Sequence, residues 1–264
     1  MTKTILVTGA SSGVGEATAR LFAAKGWNVV AASRSMGKFD PGEKMLPLFL
    51  DVTDKATIAD AIEKTRHRFG GLDVLVNNAG IGLAGPLEAV TDRQLRAIFD
   101  TNFFGVAAMI QAVVPLMRRQ KSGTIINVTS ITGRLGLPFM SPYDATKFAV
   151  EGLSESLRYE LSLFGVRVKV VEPGGVKTAF AHEWARHDAY EPFHQKLIDQ
   201  MTAGAAKARG PHGVASVIFK AANDRSARFR YTANGSGAFL ALHGLLPERV
   251  WRGIVRSAFM KRHD

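Results

Sequence analysis

Short apolar runs alternate with amphipathic stretches along most of this 264-residue chain. Thr4 to Val7 is an apolar run ending in Thr8-Gly9, and Ala17 to Ala24 follows with helical apolar spacing. The chain is therefore predicted to open strand, glycine-rich turn, helix. Further strands are predicted at Trp27 to Ser33, Met45 to Leu50, Leu72 to Val76, Gly123 to Thr129, Val166 to Val171 and Arg228 to Thr232. Helices are predicted over Lys55 to Phe69 with Asp54 as N-cap, from a Thr91 cap to about Arg119, over Pro142 to Phe164 and over Pro211 to Ala222. Pro115 is expected to weaken or kink the second of these. Gly37 to Glu43 and Ile81 to Glu88 read as loops. Ala179 to Arg209 carries helix-like pieces and no strand signal; it is too long for a bare loop and reads as a helical lid. Alternating strands and helices without a repeat or linker predict one α/β domain over 1–264. Its core is a doubly wound parallel sheet of about seven strands with helices on both faces.

The tail from Pro247 to Arg262 is a candidate amphipathic helix, with Arg249, Arg252 and Arg256 on one side and Val250, Ile254, Val255 and Phe259 near another. It is expected to pack on its own domain or on a neighbouring subunit, the alternative being peripheral contact with a membrane.

Composition narrows the function classes. There are no cysteines, which excludes disulfides and Cys-based zinc sites and makes a cytoplasmic location the expectation. The N-terminus enters an apolar strand directly, leaving no room for a signal peptide, and no apolar run is expected to span a bilayer. The formal charge is +11. Because Lys and Arg are scattered rather than blocked, this reads as a solvated surface with a site for an anionic cofactor, not as a nucleic-acid interface.

The turn Thr8-Gly9-Ala10-Ser11-Ser12-Gly13-Val14-Gly15 sits between the first strand and first helix. Glycines there let the backbone approach a pyrophosphate, and the helix N-terminus offers free N–H groups. In Rossmann-type dinucleotide folds an acid at the end of the second strand binds the ribose 2′-hydroxyl; here the end reads Ala31-Ala32-Ser33-Arg34. A guanidinium pairs with a 2′-phosphate, so NADP(H) is expected over NAD(H). Asp51-Val52 closes the third strand, where Asp51 either meets the adenine or caps the local turn. Asn77-Asn78-Ala79-Gly80 follows the fourth strand: its amides can hold strands or cofactor in register, and Ala79-Gly80 permits close backbone approach.

Ser130, at the end of the fifth strand, lies upstream of Tyr143 and Lys147, which are four apart and share one helix face. Of the four Tyr residues only Tyr143 has Lys four positions on. Taken in order, these motifs resemble the short-chain dehydrogenase/reductase family. The likeness spans nearly the whole chain, most tightly Thr4 to Thr178. Gly85 to Ala89, Gly136 to Phe139 and Glu172 to Phe180 look like its 17-beta-hydroxysteroid and retinol dehydrogenase branch. The resemblance implies catalytic roles for Asn102, Ser130, Tyr143 and Lys147. It implies nicotinamide-end contacts from Pro173, Gly174, Val176 and Thr178, and a homodimer or homotetramer.

The expected chemistry is hydride transfer between a nicotinamide and a carbonyl, with Tyr143 moving the proton. A phenol's reference pKa of about 10 would have to fall by about three units to work near neutrality. One cation about 4 Å away supplies that much at an effective dielectric of about 20, so Lys147 is expected to pull Tyr143 down. Ser130 would steady the oxyanion, and Asn102 would anchor a water linking Lys147 to solvent, as in the family. Leu135, Leu137, Phe139, Phe180 and Trp184 suggest an apolar pocket for a steroid-like, retinoid-like or long-chain substrate. A 3-oxoacyl-thioester reductase and a silent cofactor-binding scaffold are the alternatives. His182, His187 and His194 in the lid are spaced for substrate contact or exposure rather than for metal.

Overall fold

Strand β1 (Thr4–Thr8) is buried at every position, and its side chains alternate between two cores. Leu6 faces one, Ile5 and Val7 the other. The same alternation runs through the neighbouring strands, which is why they read as continuous apolar runs: a strand covered on both faces has no polar side. The computed structural model describes residues 2–35, 39–180 and 182–259. Of the expected loop Gly37 to Glu43, Gly37 and Lys38 lie outside the described residues, as do residues 260–262 of the expected tail helix.

After β1 come α1 (Gly13–Ala24), β2 (Asn28–Ser33), β3 (Met45–Phe49), α2 (Lys55–Phe69) and β4 (Val74–Asn77). Next are β5 (Gly82–Ala84), α3 (Asp92–Phe99), α4 (Gly105–Gln120), β6 (Gly123–Val128), α5 (Ser141–Ser162) and β7 (Val166–Pro173). The chain continues with β8 (His182–Trp184), α6 (Glu191–Lys207), α7 (His212–Asn223), β9 (Arg230–Ala233), α8 (Ser236–Leu245) and α9 (Glu248–Phe259). Seven strands form one parallel sheet in the order β3-β2-β1-β4-β6-β7-β9. The order reverses between β1 and β4, which opens a crevice at their carboxyl ends, the place where ligands bind in such sheets. Helices α2, α4 and α5 cover one face through residues such as Ile58, Met109, Val113 and Val150; α1 and α7 cover the other through Phe22, Val214 and Ile218.

The predicted caps are in place. The Asp54 carboxylate accepts from the Ala56 N–H at 2.8 Å, and Thr91 forms a reciprocal capping box with Gln94. Three expectations need correction. Ile81 to Glu88 is not simply a loop, and the lid is not strand-free: β5 pairs in parallel with β8, Gly82 opposite His182 and Ala84 opposite Trp184. Three-residue strands without an apolar pattern exist only because each supplies the other's ladder, a contact about one hundred residues long in sequence that no local periodicity encodes. The long helix after Thr91 continues past Pro115 to Gln120. Its irregularity is a π-turn at Asp100–Phe104, centred on Asn102. The continuous helical stretch Asp92–Gln120 is also long and apolar enough to cross a bilayer by length and composition, contrary to the reading of the apolar runs. Here its apolar residues Val106, Met109, Val113 and Met117 are buried against the sheet.

Helix α8, which the hydrophobic pattern did not single out, carries Phe239 and His243, whose rings pack against Trp251 of α9 at 5.3 and 4.8 Å. Helix α9 has no buried position and touches α6, where Gln200 Nε2 donates to the Ala258 carbonyl at 2.9 Å. The tail therefore rests on its own chain, on the back of the lid segment.

Candidate active site

The crevice is built from backbone first. Thr8 Oγ1 accepts from the N–H groups of Asn78 and Ala79, both at 3.0 Å, and donates to the Val76 carbonyl. The Asn78 amide donates to the carbonyls of Thr8 and Gly9 at 3.0 and 3.3 Å. Together these bonds pin the end of β4 onto the glycine turn, so Asn78, Ala79 and Gly80 form its floor. Asn77 does the same deeper down, donating to Asn127 at 2.8 Å, which in turn donates to Ser154 of α5. Thr8 opens the turn read from the sequence, but the bonds of its hydroxyl to the end of β4 had no local signal.

Two glycines are required here. Gly9 has φ +66°, and a Cβ on it would lie 2.9 Å from the Ala79 Cα. A Cβ on Gly15 would run into the Gly9 carbonyl and lie 2.6 Å from the Asn78 amide. Ser12 caps α1 in extended conformation without a side-chain bond, and Ser11 precedes it. The first N–H groups of α1 are thus not capped by that side chain, and Val14 packs its own side chain into the core. A Cβ on Gly13 would meet Thr178 at 3.2 Å, which places the segment after β7 over the same turn. In that segment the Gly174 N–H donates to Ala233 at 3.0 Å, Val176 packs toward α1 and α7, and Pro173 ends β7. This cradle fits a dinucleotide pyrophosphate.

At the other end of the crevice, Arg34 follows β2 and is exposed. Asp51 caps the local turn: its Oδ1 accepts from the Thr53 N–H at 2.9 Å and the Thr53 hydroxyl at 2.8 Å. Burial pushes its carboxyl up, but those bonds and the Arg34 charge outweigh it and hold Asp51 below the usual range. Val52 is buried against Gly105, at the start of α4.

Ser130 ends the segment after β6, and its hydroxyl accepts from the Thr132 N–H at 3.2 Å. Tyr143 and Lys147 project from one face of α5, with Lys147 Nζ 5.5 Å from the Tyr143 ring centre and 3.2 Å from the Val128 carbonyl, to which it donates. The electrostatics overturn one expectation. Burial, with the Asp144 charge second, pushes the Tyr143 phenol above its ordinary value; a hydrogen bond with Ser130 pulls the other way. Lys147 is itself pushed down to about 8 by burial, against a smaller upward pull from Glu151. Burial disfavours the phenolate, and that effect outweighs the help from Ser130. The side chains hold Tyr143 as a protonated phenol.

Asn102 is buried inside the π-turn. Its side chain accepts from the Ile81 N–H at 2.8 Å and donates to the Ile81 carbonyl at 2.9 Å and to Thr146 at 3.2 Å. Thr146 donates to the Tyr143 carbonyl at 2.7 Å. The side chain thus clamps the start of β5 to α5.

The apolar residues divide. Leu135 is 2% exposed, a core position rather than an open wall, whereas Leu137 and Phe139 are half-buried. Phe180 is 46% exposed, with its ring 6.2 Å from Tyr143. His182 of β8 stands closer, at 5.6 Å, and Trp184 follows it at 6.0 Å. Burial pushes His182 below the ordinary imidazole range. Its place beside the phenol depends on the β5–β8 pairing and so had no sequence signal beyond its type.

Asp144, next to Tyr143, is 5% exposed, and its carboxylate accepts from the Leu137 N–H at 2.8 Å. Burial raises it to about 7, against the Leu137 bond and the Thr132 hydroxyl. A folded pKa above the ordinary 3.8 means that stability falls as pH rises from about 4 to about 7 and stays reduced above that. Asp144→Asn keeps the acceptor for Leu137 and removes the ionisation. It is expected to stabilise the fold by about 2–4 kcal/mol at pH 8 and by less at pH 5, since each tenfold change in proton affinity is worth about 1.36 kcal/mol. Chemical denaturation of both forms at the two pH values checks this.

The order reversal at β1/β4, the glycine cradle and the α5 Tyr–Lys pair meet in one crevice, and comparison with other proteins agrees. A family described as short chain dehydrogenase matches residues 3–189. The chain belongs to the short-chain dehydrogenase family. This family comprises oxidoreductases, and the central parallel sheet flanked by helices is its Rossmann-like fold. A 3-ketodihydrosphingosine reductase of Bacteroides thetaiotaomicron is 43% identical over 67% of this chain and 65% of its own. Human retinol dehydrogenase 8 is 38% identical over 67% of this chain and 60% of its own. Both likenesses accord with the 17-beta-hydroxysteroid and retinol dehydrogenase branch. A short-chain dehydrogenase structure from Streptomyces avermitilis superposes with a TM-score of 0.86 at 32% identity, covering 97% of this chain and 96% of that one. A Burkholderia phymatum short-chain dehydrogenase in complex with NAD gives 0.80 at 26% identity over 96% and 95%. ElxO with NADP bound gives 0.74 at 29% over 91% and 100%.

Proposed function

We propose that this short-chain dehydrogenase interconverts a ketone or aldehyde and an alcohol on an apolar substrate, using NADP(H). The observation that carries the reading is the grouping of half-buried Ser130 and Tyr143 with buried Lys147 beside the glycine cradle. The bound dinucleotide supplies or accepts the hydride. Tyr143, kept protonated by its surroundings, gives its proton to the carbonyl oxygen in the reductive direction. Ser130 donates a hydrogen bond to that oxygen as it gains negative charge. Lys147 holds the ribose beside the phenol and replenishes its proton. Asn102 keeps β5, and with it the floor at Gly80, in register with α5.

Apolarity of the substrate is supported by the ring of Phe180 beside Tyr143, by Trp184 beyond His182, and by relatives named for retinol and 3-ketodihydrosphingosine. Relatives with NAD and with NADP both exist, so the cofactor preference rests on Arg34 and on the lack of an acid at the end of β2. Consumption of reduced nicotinamide against ketosteroids, retinal, aliphatic and aromatic ketones and a 3-oxoacyl thioester tests the activity; no turnover across that panel overturns it. Arg34→Ala is expected to reduce the ratio of kcat/KM for NADPH over NADH by about tenfold, mostly through KM for NADPH, since a charge-assisted contact contributes about 1.5–3 kcal/mol. Wild-type preference for NADH overturns the cofactor assignment.

A further inference from the structure

Helix α6 buries an imidazole whose nitrogens are unpaired among the described residues. His194 is 0% exposed, and neither Nδ1 nor Nε2 has a hydrogen-bond partner among the described residues. Buried polar groups are paired in the great majority of cases, because leaving one unpaired costs folding free energy. A polar group on a bound molecule would satisfy both nitrogens.

Its neighbours show where that partner would lie. The His194 ring is 5.9 Å from Phe139 and 5.3 Å from Trp184. Trp184 leads to His182, and His182 stands against Tyr143. His194 is therefore three ring contacts from the phenol, at the far end of a row of aromatic side chains that begins at the reacting position. Phe139 is held with φ +60°, a left-handed backbone that a bulky residue rarely adopts, and its carbonyl accepts from the Gly85 N–H at 2.7 Å. The loop is thus braced in an unfavourable conformation that sets this ring against His194 and Tyr190.

We propose that His194 recognises the distal end of the substrate, exchanging a hydrogen bond with a neutral hydroxyl or carbonyl carried on the apolar skeleton remote from the reacting group. The inference rests on the reductase reading above and narrows its substrate class to apolar molecules with two separated oxygen functions. A neutral imidazole offers one donor and one acceptor, which suits a hydroxyl or a carbonyl equally. Burial keeps the ring below its ordinary range, with the Glu191 charge pulling it up and Arg186 pushing it down. Those two charges pair with each other at 3.5 Å, so no free cation among them is left to receive a distal carboxylate.

The test compares medium- and long-chain 2-alkanones with their terminally hydroxylated counterparts, with NADPH as reductant. At one chain length, wild-type kcat/KM should favour the hydroxylated ketone by about tenfold or more, chiefly through KM. His194→Phe should abolish that preference, and His194→Gln should restore part of it. Since a buried substitution can impair folding, binding of long-chain diols against mono-alcohols to the wild-type protein is measured by calorimetry as well; tighter diol binding is expected. Turnover of the parent ketones with no preference at any length, a preference that survives in His194→Phe, or equal binding of diols and mono-alcohols overturns the assignment of His194 alone. No turnover of any pair overturns the inference, and the reductase reading falls with it when the wider ketone and aldehyde panel above is also not turned over.

Discussion

Tyr143→Phe is expected to lower turnover by at least about a hundredfold while leaving NADPH affinity and the fold nearly intact. The change removes one oxygen and keeps the ring, so the contacts with Phe180 at 6.2 Å and His182 at 5.6 Å survive. What is lost is the only proton at that position that Ser130 also touches. A carbonyl that accepts hydride without a proton donor must carry a full negative charge in a buried site, which is the state the wild-type site avoids. Steady-state kinetics with a fluorescence titration of NADPH separate the two effects. Retained turnover would move the proton donor elsewhere, and His182 is the neighbour to examine next. Lost NADPH binding would show that the phenol's main work is to hold the nucleotide.

Lys147→Met should separate stability from activity. Lys147 is 7% exposed and its ammonium is pushed from 10.5 to about 8. A lysine depressed in the folded state binds its proton less tightly there than when unfolded. Stability therefore rises with pH between about 8 and 10.5, and the full cost of burying the charge is present below 8. At about 1.36 kcal/mol for each tenfold loss of proton affinity, that cost is about 3 kcal/mol at pH 7. Methionine fills similar volume without charge, but strands the Val128 carbonyl that Lys147 serves at 3.2 Å, at a cost of about 1–2 kcal/mol. The ligand-free variant is expected to be more stable by about 1–2 kcal/mol at pH 7. The gain should shrink and then reverse toward pH 10, as read from denaturant midpoints. Turnover should fall by about two orders of magnitude, because a preorganised positive group beside the reacting oxygen is gone. A variant that is both less stable at pH 7 and fully active would refute the buried-charge account. The pattern matches the general observation that catalytic groups are held at the expense of stability.

Much of the architecture was legible in local pattern. Strands covered on both faces are largely apolar, so the sheet was readable from β1, β2 and β4. Helix starts announce themselves through side chains that satisfy free N–H groups, and Asp54 and Thr91 do this as expected. The glycine turn was readable because backbone approach excludes Cβ atoms at Gly9 and Gly15. Tyr143 and Lys147 had to share a face, since a helix repeats every 3.6 residues. Each of these depends on neighbours within a few positions.

Other features depend on residues far apart in the chain. The β5–β8 ladder brings Gly82 to His182, and with it an imidazole to Tyr143, through strands too short to show a period. The π-turn at Asn102 accompanies side-chain bonds to Ile81 and Thr146, and propensity alone saw only an unfavourable asparagine within a helix. The direction in which the Tyr143 phenol is pushed is likewise tertiary. Residue spacing puts a cation on the right face, but only packing determines how much water is removed from both groups, and burial is the leading cause of the shift at each. By itself the sequence determined which groups stand at the crevice, because caps, glycines and helical spacing are local. Tertiary structure alone decided what surrounds those groups and how they titrate, because burial and dielectric are properties of the assembled neighbourhood.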